Sequence, residues 1–557
     1  MLMLGAVTGI AARYLRAIPL PLIQIALGAL LSWPQAGLHI AFDPELFLLL
    51  FIPPLLFADG WRIPKREFFS LYKPILRLAL GLVLFTVLGL GWLIHWMIPQ
   101  MPLPVAFALA AVVSPTDAVA VSAITRNLGM PARTMHMLEG ESMLNDASGL
   151  VALKFAVATA LTGVFSWSAV TREFLWVALG GLVVGIGLGW GFAVARDMVT
   201  RRLGDVAASQ VTMLLLLLPF AAYMLGERFG VSGILAAVAA GFTTNYADLR
   251  RSDFIAERMT SMGAWAMLES AFNGAIFLLL GLQLPSIVTN MADTGHSAWA
   301  LAGYVLALSS ALLLLRWFWL YLAMQARRLK GRLDGTPVEP TPWLLNVAST
   351  LAGIRGAITL AGALSVPLMV NADTPFPARD LLIFLATGTI LFTLVLGSIG
   401  LPLALGRLPA QPEPVESREE RQARLAAGNA AIASLRLDSA AAQAVDPQWL
   451  AQYQEAVGML TQDYRRRISM IDDGSGSNVT PEAKAESPEE TRQRRKRYVI
   501  EIELRLACVH VERNALYAER QAHRINDESL RKLVGELDIS EISLNKRLAV
   551  ARENAGG

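Results

Sequence analysis

Residues 140–151 read GESMLNDASGLV and place Glu141, Ser142, Asn145 and Asp146 within six residues of an otherwise apolar stretch. Glu141 and Asn145 are four residues apart, and so are Ser142 and Asp146, so on a helix all four share one face. A second acid, Asp117, follows Pro115 and Thr116 in LAAVVSPTDAVAVSAI. Two carboxylates, a hydroxyl and main-chain carbonyls are hard oxygen donors, and without cysteine or histidine they suit a desolvated monovalent cation. The same carboxylate can hold a proton instead. Desolvation strengthens its hold on the proton, and a bound cation weakens it. Proton and cation then compete for one group, which is the chemical basis of exchange. A carrier neutralised by either ligand can complete its cycle, whereas an empty charged site crosses poorly.

Such groups need elements that keep them out of water. Of the 557 residues, 54% are hydrophobic and only 17% charged, too apolar for a soluble protein of this size. Long apolar runs recur to about residue 405, each able to cross a bilayer core of roughly 30 Å. From residue 408 onward the chain holds 22 Lys/Arg and 24 Asp/Glu, half of all its charges. The expected organisation is therefore a membrane domain over 1–407 and a soluble helical tail over 408–557. Within the tail, a Gly/Ser/Pro-rich linker near 471–490 separates two helical blocks. The net charge of +3 gives no reason to invoke nucleic acid. The one cysteine, Cys508, excludes an intrachain disulfide. No cleavable signal peptide is expected, because the first apolar segment lacks a basic leader and a small-residue cleavage site. That segment is also short, reaching Arg13 after about 11 residues.

Thirteen spans are expected: 1–12, 18–33, 44–60, 74–98, 102–124, 136–162, 172–195, 209–226, 231–246, 263–284, 297–323, 343–369 and 380–405. Alternate loops carry the basic residues. These are Arg13 and Arg16; Arg62, Lys65, Arg66 and Lys73; Arg126 and Arg133; Arg196, Arg201 and Arg202; Arg250, Arg251 and Arg258; and Arg327, Arg328, Lys330 and Arg332. The excess of positive charge marks the cytoplasmic side, which puts the N-terminus outside and the tail inside. An odd count also suggests six spans, a linker and six more, as two inverted halves. Span 5 then matches span 12, and both are broken. Span 5 has Pro115 and Asp117 in its middle. Span 12, STLAGIRGAITLAGAL, has Gly353, Arg355 and Gly356. Proline removes a helix hydrogen bond and glycine unwinds cheaply. Broken helices in matching positions point to an ion site near the midplane. Asp146 lies about 10 residues into span 6, or ~15 Å along its axis. A charge there costs ~3 kcal/mol or more on insertion scales and faces a partner or a water-filled cavity. Glu141 has two buried cations available as partners, Arg316 and Arg355.

The run SPTDAVAV, then GESMLNDASGLV, then AGIRGAITLAGALS, in that order, resembles the monovalent cation:proton antiporters, which include bacterial NhaP-type sodium/proton antiporters and animal sodium/hydrogen exchangers. FIPPLLFADGW and VSGILAAVAAG resemble a bacterial branch. The resemblance covers roughly residues 15–405. It implies an all-α fold with spans 5 and 12 unwound and crossed, a homodimer and a bacterial cytoplasmic membrane. It implies that Asp146 is the main cation- and proton-binding acid. The Thr116 carbonyl and the Asp117 carboxylate lie near the ion, and Ser142 adds a ligand. Asn145 stands where electrogenic relatives carry a second aspartate, so the exchange is expected to be electroneutral. Glu141 is assigned to a structural pair with Arg316, and Arg355 to charge compensation where the helices cross. Some relatives carry an acid directly after the Phe of PPLLF. Here the order is Phe57-Ala58-Asp59, and a shift of one residue turns a helix by ~100°. That shift can turn Asp59 to another face, and it is kept as a further candidate ligand. Glu269, which shares a face with Ser270 and Asn273, is expected either as a funnel or supporting acid or in a structural pair.

Sodium is the first expectation for the ion, with potassium or lithium as alternatives, and the basic cluster RQRRKRYVIEIELRL of the tail is either a contact for anionic inner-leaflet lipids or a solvated helix start. No cofactor is expected. The six histidines show no metal-ligand spacing, and His95 and His136, at span ends, are expected to be solvated. Lys154 either snorkels or pairs with an acid. An intramembrane enzyme would need a nucleophile with its base or a histidine pair, and the chain offers neither. A channel on the same fold would pass cations without counter-transport of protons.

Overall fold

A computed structural model describes residues 19–32, 44–125, 130–163, 167–203, 208–248, 255–292, 297–335, 342–371, 374–408, 415–441, 450–473 and 488–556, with isolated positions near 5–9 and at 128. Most of the first expected span, Arg13, Arg16, Arg126, Arg250, Arg251 and most of the tail linker lie outside the described residues. The chain divides into two units. One gathers Met1–Ile63, Glu67–Asp248 and Ala256–Ala410, and the other gathers Gln411–Gly557 with the short segments Pro64–Arg66 and Leu249–Ile255.

The first unit is almost wholly helical. Its elements are α1 (Leu20–Leu31), α2 (Pro44–Arg62), α3 (Lys65–Ser70), α4 (Tyr72–Met97), α5 (Leu103–Val112), α6 (Ala118–Thr125), α7 (Ala132–Thr162), α8 (Trp167–Leu203), α9 (Ala208–Arg228), α10 (Gly233–Asp248), α11 (Ile255–Ala292), α12 (Ala298–Leu333), α13 (Trp343–Leu351), α14 (Ala357–Leu364) and α15 (Arg379–Leu405). Among the described residues seven helices are long and apolar enough to cross a membrane, within α4, α7, α8, α9, α11, α12 and α15. Helix α1 and each part of the two broken helices are shorter.

Local chemistry sets the ends. Pro102, Pro131 and Pro342 precede α5, α7 and α13, where a fixed φ suits helix entry. Gly163, at φ 70°, closes α7 in the left-handed conformation that glycine adopts without strain. Helix α5 stops before Ser114-Pro115, since proline lacks an N–H and disfavours helix in the residue before it. The second break falls between Leu351 and Ala357, around Gly353 and Gly356. The expected span 343–369 overruns the observed helix. Helix α14 ends at Leu364, ahead of Pro367, and a minimal antiparallel pairing of Met369–Asn371 with Thr374–Pro375 follows. That small hairpin is the departure from an all-α fold. Helix α4 contains a π-helical segment, Arg77–Leu82. Its Ala79 carbonyl accepts a hydrogen bond from Ser148 on α7 at 2.8 Å.

The helices pack as two groups. Helices α2, α8, α9 and α10 pack chiefly on one another. Helix α11 joins them by stacking Trp265 on Phe57, with ring centroids 5.1 Å apart. Helices α8 and α10 touch backbone to backbone: a Cβ added at Gly181, Gly185 or Gly189 would lie 2.5, 2.2 or 2.8 Å from the carbonyl of Ser232, Ala236 or Ala240. Such small-residue packing is how helices associate without a hydrophobic driving force. Helices α4–α7 and α12–α15 form the second group, around a core that includes Leu109, Leu150, Ile354, Leu360 and Ile390. The groups meet where α2 and α10 touch α7, and where α2 touches α14.

The second unit holds α16 (Val415–Ala441), α17 (Leu450–Asp473), α18 (Pro488–Gln521) and α19 (Asp527–Gly556). Leu435, Leu460, Tyr464, Leu504 and Cys508 form one of its buried clusters. Arg513 is buried between Asp538, at 3.0 Å, and Glu541.

Candidate functional site

The two broken helices meet at their breaks. The Asp117 N–H donates to the Ile354 carbonyl at 2.8 Å, joining the two unwound segments directly. The Asp117 carboxylate accepts from the Ala120 N–H at 3.0 Å and so caps the start of α6. Gly356 leaves room for this carboxylate. A Cβ there would lie 1.8 Å from Asp117 Oδ2 and 2.6 Å from its Cβ.

Helix α7 brings its polar face to the crossing. Ser142 Oγ donates to the Thr116 carbonyl at 2.7 Å and accepts from the Ala118 N–H at 3.3 Å. Asn145 Nδ2 donates to Thr116 Oγ1 at 2.9 Å. Helix ends leave carbonyls and N–H groups without helical partners, and here the side chains of α7 supply several. At the other break, Arg355 donates to the Gly353 carbonyl at 2.9 Å, and its N–H donates to Thr393 Oγ1 at 3.1 Å. Glu141 and Arg316 pair through both arms of the guanidinium, Nη2 reaching Oε2 at 2.9 Å. Arg316 Nε also donates to the Ser349 carbonyl at 2.9 Å. Glu141 is wholly buried and Arg316 2% exposed.

A cleft opens beside the crossing. Asp59, Thr116, Asp117, Ser142, Asp146 and Glu269 line it, with Asn273, Gly356 and Thr359. The cleft therefore has walls from both helix groups: α2 and α11 on one side, and the crossing with α7 and α14 on the other. Asp146 is buried and has no ion-pair partner within 4 Å among the described residues. Asp59 faces the cleft despite its shift by one position. Glu269 pairs with Arg62. Asn145, Glu141, Arg316 and Arg355 stand beside the cleft and do not line it. Lys154 pairs with Glu227 at 2.7 Å, and Glu227 also accepts from the Gly233 N–H at 3.3 Å. His136 is buried, 3.5 Å from Glu139, and not solvated as expected. His95 Nδ1 lies 2.9 Å from the Met101 carbonyl. The sequence reading passed over Thr359. The available signal was a hydroxyl four residues after Arg355, on the helix that restarts beyond the break.

Three comparisons bear on the chain. The family described as sodium/hydrogen exchanger, transmembrane, matches residues 1–406. An Escherichia coli protein named uncharacterized Na(+)/H(+) exchanger YjcE is 44% identical over 542 residues, covering 95% of this chain and 94% of that one. A Bacillus pumilus protein named sodium, potassium, lithium and rubidium/H(+) antiporter is 44% identical over 407 residues, 72% of this chain and 60% of that one. Among solved structures, the sodium proton antiporter MjNhaP1 from Methanocaldococcus jannaschii at pH 8 superposes with a TM-score of 0.56 at 20% identity, over 73% of this chain and 96% of that one.

Proposed function

This chain belongs to the sodium/hydrogen exchanger family, is a multi-pass membrane transporter and a cation/proton antiporter, and we propose that it exchanges one monovalent alkali cation for one proton, with Asp146 as the group both ligands share. The observation that carries this reading is the cleft in which Asp146 and Asp117 lie beside two broken helices joined at their breaks. Among the described residues no cationic side chain pairs with Asp146, which leaves a cation or a proton to neutralise it. Thr116, Ser142 and Asp117 serve as further oxygen ligands, and Asp59 and Glu269 line the approach. Asn145 acts by holding Thr116 and contributes no titrating charge. Glu141 with Arg316 and Arg355 with the Gly353 carbonyl hold the crossing in shape.

Alternating access follows if the two helix groups move against each other around the cleft. Lys154 on α7 and Glu227 on α9 then form a tie between the groups that must break once per cycle. We propose thirteen spans in two inverted halves, with the N-terminus outside and the tail inside a bacterial cytoplasmic membrane. The alternation of basic loops supports this orientation. A homodimer in lipid is the proposed assembly.

Sodium is the first candidate ion. The Bacillus pumilus relative, named for four alkali cations, supports a second reading in which potassium is also carried. Purified protein in proteoliposomes, given NaCl, LiCl or KCl against a pH gradient, tests both readings. Asp146→Asn should insert and fold yet move no protons with any salt. Substantial residual exchange in that variant would remove Asp146 from the mechanism.

A further inference from the structure

Threonine in an apolar helix ordinarily turns its hydroxyl back onto a carbonyl three or four residues earlier. Thr125, Thr159, Thr244, Thr350 and Thr389 do so here, at 2.8–2.9 Å. Thr359 does not. It is 1% exposed, and its Oγ1 is buried with no hydrogen-bond partner. The cause is local. The carbonyl four residues earlier belongs to Arg355, inside the non-helical stretch before α14. Yet Thr359 lines the same cleft as Asp146 and Asp117, on the wall that α14 contributes.

We infer that the Thr359 hydroxyl is a neutral oxygen ligand of the transported cation and sets which alkali ion the cleft prefers. This rests on the cation/proton antiport reading above. Among the described residues three buried neutral side-chain oxygens at the two breaks lack a hydrogen-bond partner, Ser114 Oγ, Asn145 Oδ1 and Thr359 Oγ1, and of these residues only Thr359 lines the cleft. The Ser142 and Thr116 hydroxyls, which also face it, already hold protein hydrogen bonds. Ser142 Oγ both donates and accepts, and Thr116 Oγ1 accepts from Asn145. Thr359 Oγ1 supplies lone pairs from the second broken helix. A cation held by acids from the first broken helix and α7 alone would take no ligand from the second broken helix. Thr359 adds a ligand from the second broken helix, so ion binding draws on both. Oxygen ligands replace the hydration shell of the ion. Small ions hold that shell most tightly, so losing one ligand penalises Li+ and Na+ more than K+.

The test compares wild type, Thr359→Val and Thr359→Ser in proteoliposomes, measuring exchange against Na+, Li+ and K+ concentration and the melting temperature of each. Valine keeps the shape and removes a hydroxyl without a partner among the described residues, so the melting temperature should hold or rise. The apparent KM for Na+ and Li+ should rise about tenfold, the loss of one polar ligand contact. The KM for K+ should rise less and the maximal rate should stay close to wild type. Thr359→Ser should behave like wild type. Unchanged KM values in Thr359→Val would overturn the assignment. So would equal losses for all three ions, or a valine variant too unstable to insert, since either makes the hydroxyl structural. Wild type that moves no protons with any of the three ions would overturn the antiport reading itself, and this assignment with it.

Discussion

Glu141→Gln separates an ion pair from an ion ligand. Glu141 meets Arg316 through both guanidinium arms in a wholly buried setting, and Arg316 Nε reaches the Ser349 carbonyl at 2.9 Å. Glutamine keeps the shape but leaves the arginine charge uncompensated. Breaking a buried pair by removing one partner costs roughly 3–5 kcal/mol. Unfolding entropy is about 2.1 cal/mol/K per residue, so a unit of about 400 residues should lose ~4–6 °C in melting temperature. Asp146→Asn should lose none, because it removes a buried charge that lacks a cationic partner among the described residues. The assay is thermal unfolding of the purified variants in detergent, with and without NaCl. In the paired reading, Glu141→Gln melts lower yet is still stabilised by sodium, while Asp146→Asn melts normally and no longer responds to sodium. Adding Arg316→Met to Glu141→Gln should recover part of the loss, since the orphaned charge is gone. A Glu141→Gln protein of unchanged melting temperature that has lost its response to sodium would refute the reasoning and make Glu141 a direct ligand.

Gly356→Ala would put a Cβ 1.8 Å from Asp117 Oδ2. The displaced carboxylate should lower exchange by about tenfold or more in a protein that still inserts, measured in proteoliposomes. Exchange should also be insensitive to voltage. A potential acts at ~2.3 kcal/mol per elementary charge per 100 mV, so a potassium-diffusion potential set with valinomycin should leave the end point of sodium/proton exchange unmoved; a shift would mean that Asp59 or Asp117 also carries protons. In the tail, burial raises the pKa of Glu512, opposed by the Tyr464 hydroxyl that donates to it and by Arg467. A raised acid contributes stability that is complete below the ordinary glutamate value and is lost as pH rises through the folded one. Labelling of Cys508, the chain's one cysteine and fully buried, with a thiol reagent that works in acid should therefore speed up with rising pH relative to Glu512→Gln.

The sequence by itself determined the features that depend on neighbours along the chain. Apolar length set the seven long apolar helices among the described residues. Pro115 and the Gly353–Gly356 stretch set the breaks, because a missing N–H or a missing Cβ acts within one turn. The shared face of Ser142 and Asp146 followed from helical periodicity alone. Only the tertiary structure decided which groups meet across helices. Asp59 faces the cleft although its position along α2 is shifted by one, since the rotation of a helix is set by what it packs on. Asn145 turned to Thr116 Oγ1, and Lys154 found Glu227. No sequence spacing specifies either pairing. Thr359 stayed silent for the same reason. Its hydroxyl stands one turn past the break and lacks a partner among the described residues, and it lines the cleft on the wall that α14 contributes. Both facts depend on where a second helix ends in space, and periodicity in one segment carries no information about that.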